Sequence, residues 1–177
     1  MIAPSSITIN LPSVPNVPFY SQFINIESPK WQKVGCGITS LAMIIDYYKP
    51  NAVTVDNLLA RAIAFGAYDY NAGWIHKDLV SLSKKYGLDG NTYDLSKSSA
   101  SSAYAALKKS VANGPVIVSV HYKMDPKNPI PHLVVVDAIQ GDTVYYNDPA
   151  STVGKKQITS ASFIKAWKQR YIVITEA

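Results

Sequence analysis

The chain has 177 residues, 47% of them hydrophobic and only 16% charged, with a formal charge of +5. That is enough apolar material for one domain with a real core, and it excludes a highly charged disordered chain. The lysines are scattered singly or in pairs (Lys84-Lys85, Lys108-Lys109, Lys155-Lys156) with no nucleic-acid motif among them, so the charge reads as a solvated surface, not a nucleic-acid partner.

One cysteine rules out a disulfide framework and a cysteine-rich metal site. No apolar run is long enough to span a bilayer. Met1 to Asn10 lacks the basic start and apolar core of a signal peptide. A complete chain is therefore expected in the cytoplasm, whereas a domain excised from a longer precursor or a transporter would be extracellular or transporter-attached. A monomer is the default expectation.

In chain order, residues 1–18 carry Pro4, Pro12, Pro15 and Pro18 and read as an extended arm; residues 19–177 read as the single folded domain. Phe19-Tyr20-Ser21-Gln22-Phe23 alternates apolar and polar, which suits a short strand or edge segment carrying Gln22. Ile38, Leu41, Ala42, Ile45 and Tyr48 then recur at helical spacing until Pro50. Thr54 caps a helix over about 55–65, closed by Gly66. Gly73-Trp74-Ile75-His76 opens another, with Ile75, Leu79, Leu82 and Tyr86 as its inner stripe and Gly87 as its stop. A short strand at 91–95 and a helix over 100–111, capped by Ser98 or Ser99, complete a mainly helical first half.

The second half has strand character. Val116 to Val120 and His132 to Ile139 are β-branched runs, and Thr143 to Asn147 follows a turn at Gln140-Gly141-Asp142. A strand near 155–158, a helix over about 160–169 and a final strand at 171–175 follow. Helices first and an antiparallel sheet second define an α+β chain.

The stretch around Cys36 carries the chemistry. Gly35 and Gly37 frame the thiol at the start of a helix, where free amides and the positive end of the dipole favour an anion. The two glycines leave room for a substrate carbonyl to approach the backbone. A lone cysteine beside an apolar helix is ordinarily inert packing, so what separates the readings is a base elsewhere in the chain. Of the three histidines, His76 lies off its apolar stripe and reads as a surface residue, and His121 suits core, rim or site equally. His132 opens a strand just after Pro129-Ile130-Pro131, at a sheet edge, where it could take the thiol proton and return it to a leaving amine.

Such a histidine needs an acceptor on its other ring nitrogen. The expected hairpin places Asp148 opposite residues 133 to 135. Diagonal neighbours approach to about 7–8 Å, less between side chains, which brings Asp148 to the His132 ring. Asp137 is the weaker candidate, and Asn147 points to the other face. Amide hydrolysis also needs oxyanion donors: the Cys36 backbone amide is one, and Gln22 or Gln32 is a second, a choice that spacing leaves open.

Taken together, Phe19-Tyr20-Ser21-Gln22, Gly35-Cys36-Gly37-Ile38-Thr39-Ser40-Leu41-Ala42-Met43, Pro131-His132-Leu133-Val134-Val135-Val136 and Tyr146-Asn147-Asp148-Pro149 resemble the C39-like peptidases. These are papain-like cysteine peptidases related to the bacteriocin-processing domains of peptide exporters. Gly73-Trp74 and the helix ending Tyr86-Gly87-Leu88 extend the likeness over about residues 15–175. One departure is Ile38, where many relatives carry proline. The resemblance implies a papain-like fold, Cys36 as nucleophile, His132 as general base and acid, Asp148 as the orienting carboxylate and Gln22 as oxyanion donor. It also implies a peptide or protein substrate and no metal or other cofactor. Two other functions fit the same fold: a catalytically inactive peptide-binding module, and a thiol amidase, deamidase or transferase.

Overall fold

The computed structural model describes residues 13–177. Most of the proline-rich arm, residues 1–12, lies outside the described residues; residues 13–18 form no helix or strand, and Val17 is buried.

The helical half contains α1 (Gln22–Asn25), α2 (Pro29–Gln32), α3 (Cys36–Tyr48), α4 (Val55–Phe65) and α5 (His76–Ser83). Between α4 and α5 lies a two-strand ladder, β1 (Tyr68–Asp69) with β2 (Gly73–Trp74). The local signals act where expected. Thr54 Oγ1 accepts from the Asn57 amide, and Gly66 ends α4 in the left-handed region at φ 80°. Phe19 to Phe23 is not a strand. Ser21 Oγ accepts from the Phe23 amide and starts the helical turn α1, a local side-chain bond that overrides the two-residue alternation.

The sheet runs in the order β3 (Leu88–Asp94), β8 (Trp167–Glu176), β4 (Val116–His121), β5 (Pro131–Gln140), β6 (Thr143–Asn147) and β7 (Lys156–Thr159), antiparallel throughout. Helices cover both of its faces. On one face, Ile117, Leu133, Val135, Ile172 and Ile174 join the buried side chains of α3, α4 and α5. On the other, Val118, Val134, Val136 and Tyr171 pack with α6 (Ala100–Val111) and α7 (Ser160–Ala166). The chain is α+β and papain-like.

Several boundaries differ from the sequence expectation: Gly73–Trp74 is strand β2 and the helix expected to open there starts at His76, and the final strand expected at 171–175 spans Trp167–Glu176. The strand expected at 91–95 begins at Leu88, because the whole of β3 pairs along β8 from Leu88↔Glu176 to Asp94↔Arg170. The helix expected to reach 169 stops at Ala166. Trp167 pairs with Val120, a bulge follows, and Gln169 takes φ 56° before the strand resumes at Arg170.

Candidate active site

α3 delivers Cys36 as its first residue, at the end of a buried helix whose residues from Gly37 to Asp46 are all buried. The flanking glycines leave space for the protein itself, not for a substrate as the sequence suggested. A β-carbon on Gly35 would collide with Ile26 and crowd Gln22 Cβ at 3.2 Å, and one on Gly37 would lie 2.5 Å from Trp74 Cγ. Trp74 is pinned there by its indole N–H, which donates to the Val34 carbonyl at 2.6 Å.

β5 delivers His132 as its second residue, 4% exposed. Beyond the ladder that pairs Val135 with Asn147, β6 ends and Asp148 turns in. His132 Nε2 meets Asp148 Oδ1 at 2.7 Å, leaving Nδ1 as the ring nitrogen free to face the thiol. Asp148 Oδ1 also accepts the Ala150 amide at 2.8 Å. Burial opposes charge on the imidazole, but the Asp148 bond and the hydrogen bond and charge of Cys36 outweigh it and raise His132 to about 9. Burial likewise works against charge on Asp148, and the His132 and Ala150 contacts overcome it and hold its carboxyl below the usual value. Both shifts describe one buried ion pair beside a thiol. The Tyr122 ring stands edge-on to the imidazole, 5.1 Å between centroids.

The two glutamines separate. Gln22 is buried and lines the cleft with Cys36. Its Nε2 donates one hydrogen to the Gln32 carbonyl at 2.7 Å, which leaves a second N–H. The Gln32 amide is used elsewhere, donating to the carbonyls of Ile26 at 2.7 Å and Phe23 at 3.3 Å.

Asp137 stands away from the imidazole. It sits in a β-bulge between Val136 and Ala138, where its Oδ2 accepts from Asn147 Nδ2 at 2.8 Å. Asn147 Oδ1 accepts the Lys155 amide at 2.8 Å. Burial raises the Asp137 carboxyl to about 7, against the lowering effect of Asn147 and Lys155. His121 is outside the cluster, its Nδ1 bonded to the Asn128 carbonyl at 2.7 Å. His76 is not the surface residue its helical position suggested: it is half-buried and lines the cleft. Periodicity along α5 gives no sign of this, because the facing sheet, distant in sequence, supplies the cover: α5 packs against β3 and β8, which carry Asp94 and Arg170.

The cleft measures about 530 Å³ and runs from Cys36 and His132 past Tyr68, Tyr70 and Trp74 to His76 and Ser119. Its aromatic wall is continuous, with Tyr68 5.0 Å from Trp74 and 5.4 Å from Tyr70 between ring centroids. No group of three or more histidine, cysteine or acidic side chains suited to a metal occurs among the described residues.

The fold has counterparts. A family model, the Peptidase_C39 like family, matches residues 14–174. No curated protein matches the chain significantly in sequence. Among solved structures, a double glycine motif protease from an AMS/PCAT transporter, in complex with the leader peptide, is similar at TM-score 0.64 and 23% identity, over 92% of this chain and 94% of that one. The peptidase domain of Streptococcus ComA, a bifunctional ABC transporter of a quorum-sensing pathway, is similar at TM-score 0.59 and 17% identity, over 82% and 93%. These likenesses concern the fold.

Proposed function

The chain belongs to the Peptidase_C39 like family, and we propose that it is a cysteine peptidase that hydrolyses peptide bonds through an acyl-enzyme on Cys36. The observation that carries this reading is the placement of His132, with Nε2 held by Asp148 at 2.7 Å and the Cys36 thiol at the same ring.

In this reading Asp148 fixes the imidazole orientation, and His132 holds the proton given up by Cys36. The sulfur attacks the carbonyl carbon, and the oxyanion is met by the Cys36 amide and the remaining Gln22 N–H. As the C–N bond breaks, His132 returns its proton to the departing amine. Water, deprotonated by His132, then attacks the thioester and frees the carboxylate product and the thiol.

The substrate is an extended peptide lying along the aromatic wall, a proposal supported by the cleft and by the leader peptide bound to the transporter protease. The test is peptide turnover followed by product mass, with Cys36→Ala as control. Two fragments whose masses sum to substrate plus water are expected from the wild type and none from the variant. Retained cleavage in Cys36→Ala refutes the mechanism, and an uncut peptide in which a side-chain amide has become a carboxylic acid, with ammonia released, identifies a deamidase instead.

A further inference from the structure

Part of the cleft lining is polar and differs from its aromatic wall. Ser119, on β4, stands in register between Leu133 of β5 and Arg170 of β8 and is 7% exposed. His76, the first residue of α5, lines the same cleft and lies within the field of that arginine. Both side chains line the cavity, and neither has a hydrogen-bond partner among the described residues. A hydroxyl and a neutral imidazole each offer one donor and one acceptor. Facing the cavity without protein partners, both groups are available to a hydrogen-bonding ligand.

The charges nearby decide what can do so. Burial and the Arg170 charge hold His76 below the ordinary histidine value, against the opposite pull of Asp94. Arg170 and Asp94 are themselves paired, Nε to Oδ2 at 3.0 Å, so their fields largely cancel. Among the described residues no carboxylate lines the cavity, and its one lysine, Lys33, is exposed at the end of α2. A cationic side chain would find no counter-charge here, and an anionic one would have to leave water for an already paired arginine.

We propose that His76 and Ser119 form a specificity pocket that takes an uncharged hydrogen-bonding side chain, an amide or hydroxyl, flanking the scissile bond of the substrate. This rests on the reading of the cleft as a peptide site. It makes the pair substrate-selecting residues, distinct from Cys36, His132, Asp148 and Gln22.

The test separates recognition from catalysis. The full chain carrying Cys36→Ala is used to capture peptides from a randomised pool, and the captured pool is sequenced. Enrichment of Gln, Asn, Ser or Thr over Leu at one position is expected, by about five- to tenfold, the factor that one or two net hydrogen bonds supply. Adding His76→Leu with Ser119→Ala is expected to erase the enrichment, and His76→Gln, which keeps a donor and an acceptor, to retain it. Thermal unfolding of each variant checks that it folds. Enrichment of Asp or Glu, a preference untouched by the two substitutions, or no capture at all overturns the proposal. Turnover by the unmodified chain is read separately: capture without cleavage refutes the peptidase reading and leaves the pocket standing, and cleavage without side-chain preference does the reverse.

Discussion

The backbone amide of Gln22 donates to the Pro149 carbonyl at 2.8 Å. This bond ties the turn that follows Asp148 to the first residue of α1, so the groups proposed to orient the base and to bind the oxyanion share one support. Substituting Gln22 by Ala keeps the backbone bond and deletes the side-chain donor. We expect kcat to fall by about 10² to 10³ with KM little changed, since such a donor acts mainly in the transition state. Steady-state kinetics on a cleaved peptide decides it, and a loss confined to KM would contradict the assignment.

The thiol and the imidazole should respond to each other. Cys36 is among the groups that raise His132 to about 9. Replacing Cys36 by Ala is expected to move the His132 titration downward, and replacing Asp148 by Asn to move it downward as well. Ring-proton NMR through a pH series reads both shifts directly. In the unmodified chain, alkylation of Cys36 by iodoacetamide between pH 4 and 9 should be fast and should slow in His132→Ala; equal slow rates in both would leave Cys36 a packing thiol.

Stability should track the same ion pair. His132 is raised in the folded chain, so its contribution is complete below its ordinary value of 6.5 and is lost as pH rises through about 9. Asp148 is lowered, so its contribution is present above the ordinary value of 3.8 and is lost as pH falls below it. The stability difference between the unmodified chain and Asp148→Asn is therefore expected to be largest near pH 5 to 6.5 and to shrink by pH 9.5. Urea unfolding at these pH values measures it.

Asp137 has the opposite sign. Burial raises its carboxyl to about 7, so the folded chain keeps a proton that the unfolded chain releases near 3.8. From this group alone, stability falls as pH rises from about 4 to 7. Asp137→Asn can still accept from Asn147 through its amide oxygen and does not titrate. Its melting temperature relative to the unmodified chain should climb as pH rises from about 4 to 8. A difference independent of pH would show that Asp137 does not titrate in this range.

Gly37→Ala tests the packing of the nucleophile. The added methyl would meet Trp74 at 2.5 Å, and the indole holds the Val34 carbonyl. Overpacking of this kind costs about 1–3 kcal/mol. Thermal unfolding and Cys36 alkylation should both change, because the displaced ring lines the same cleft as the thiol.

What could be read from the residues divides by range. Thr54, Gly66, Ser99 and Gly87 act on their own turns, and the helix limits at 55–65 and 100–111 follow from them. The β5–β6 hairpin has a short turn, so the approach of Asp148 to His132 could be worked out from register alone. Where a distant partner decides, the sequence is silent. The length of β3 is set by β8, the burial of His76 by the facing sheet, and the bulge at Asp137 by Asn147. The hydrogen bonds that divide the roles of Gln22 and Gln32 join α1, with the residue that follows it, to α2, and helices of four residues are too short to carry a periodic signal.

The strand order also bears on when the thiol becomes competent during synthesis. β8 is the last strand to be made, yet it lies between β3 and β4. Cys36 therefore leaves the ribosome long before the sheet that carries its base can close. A chain arrested before Trp167 is expected to label slowly with iodoacetamide, and release of the remaining residues to switch labelling on. Translation order would then keep the thiol apart from its imidazole partner until the sheet has closed.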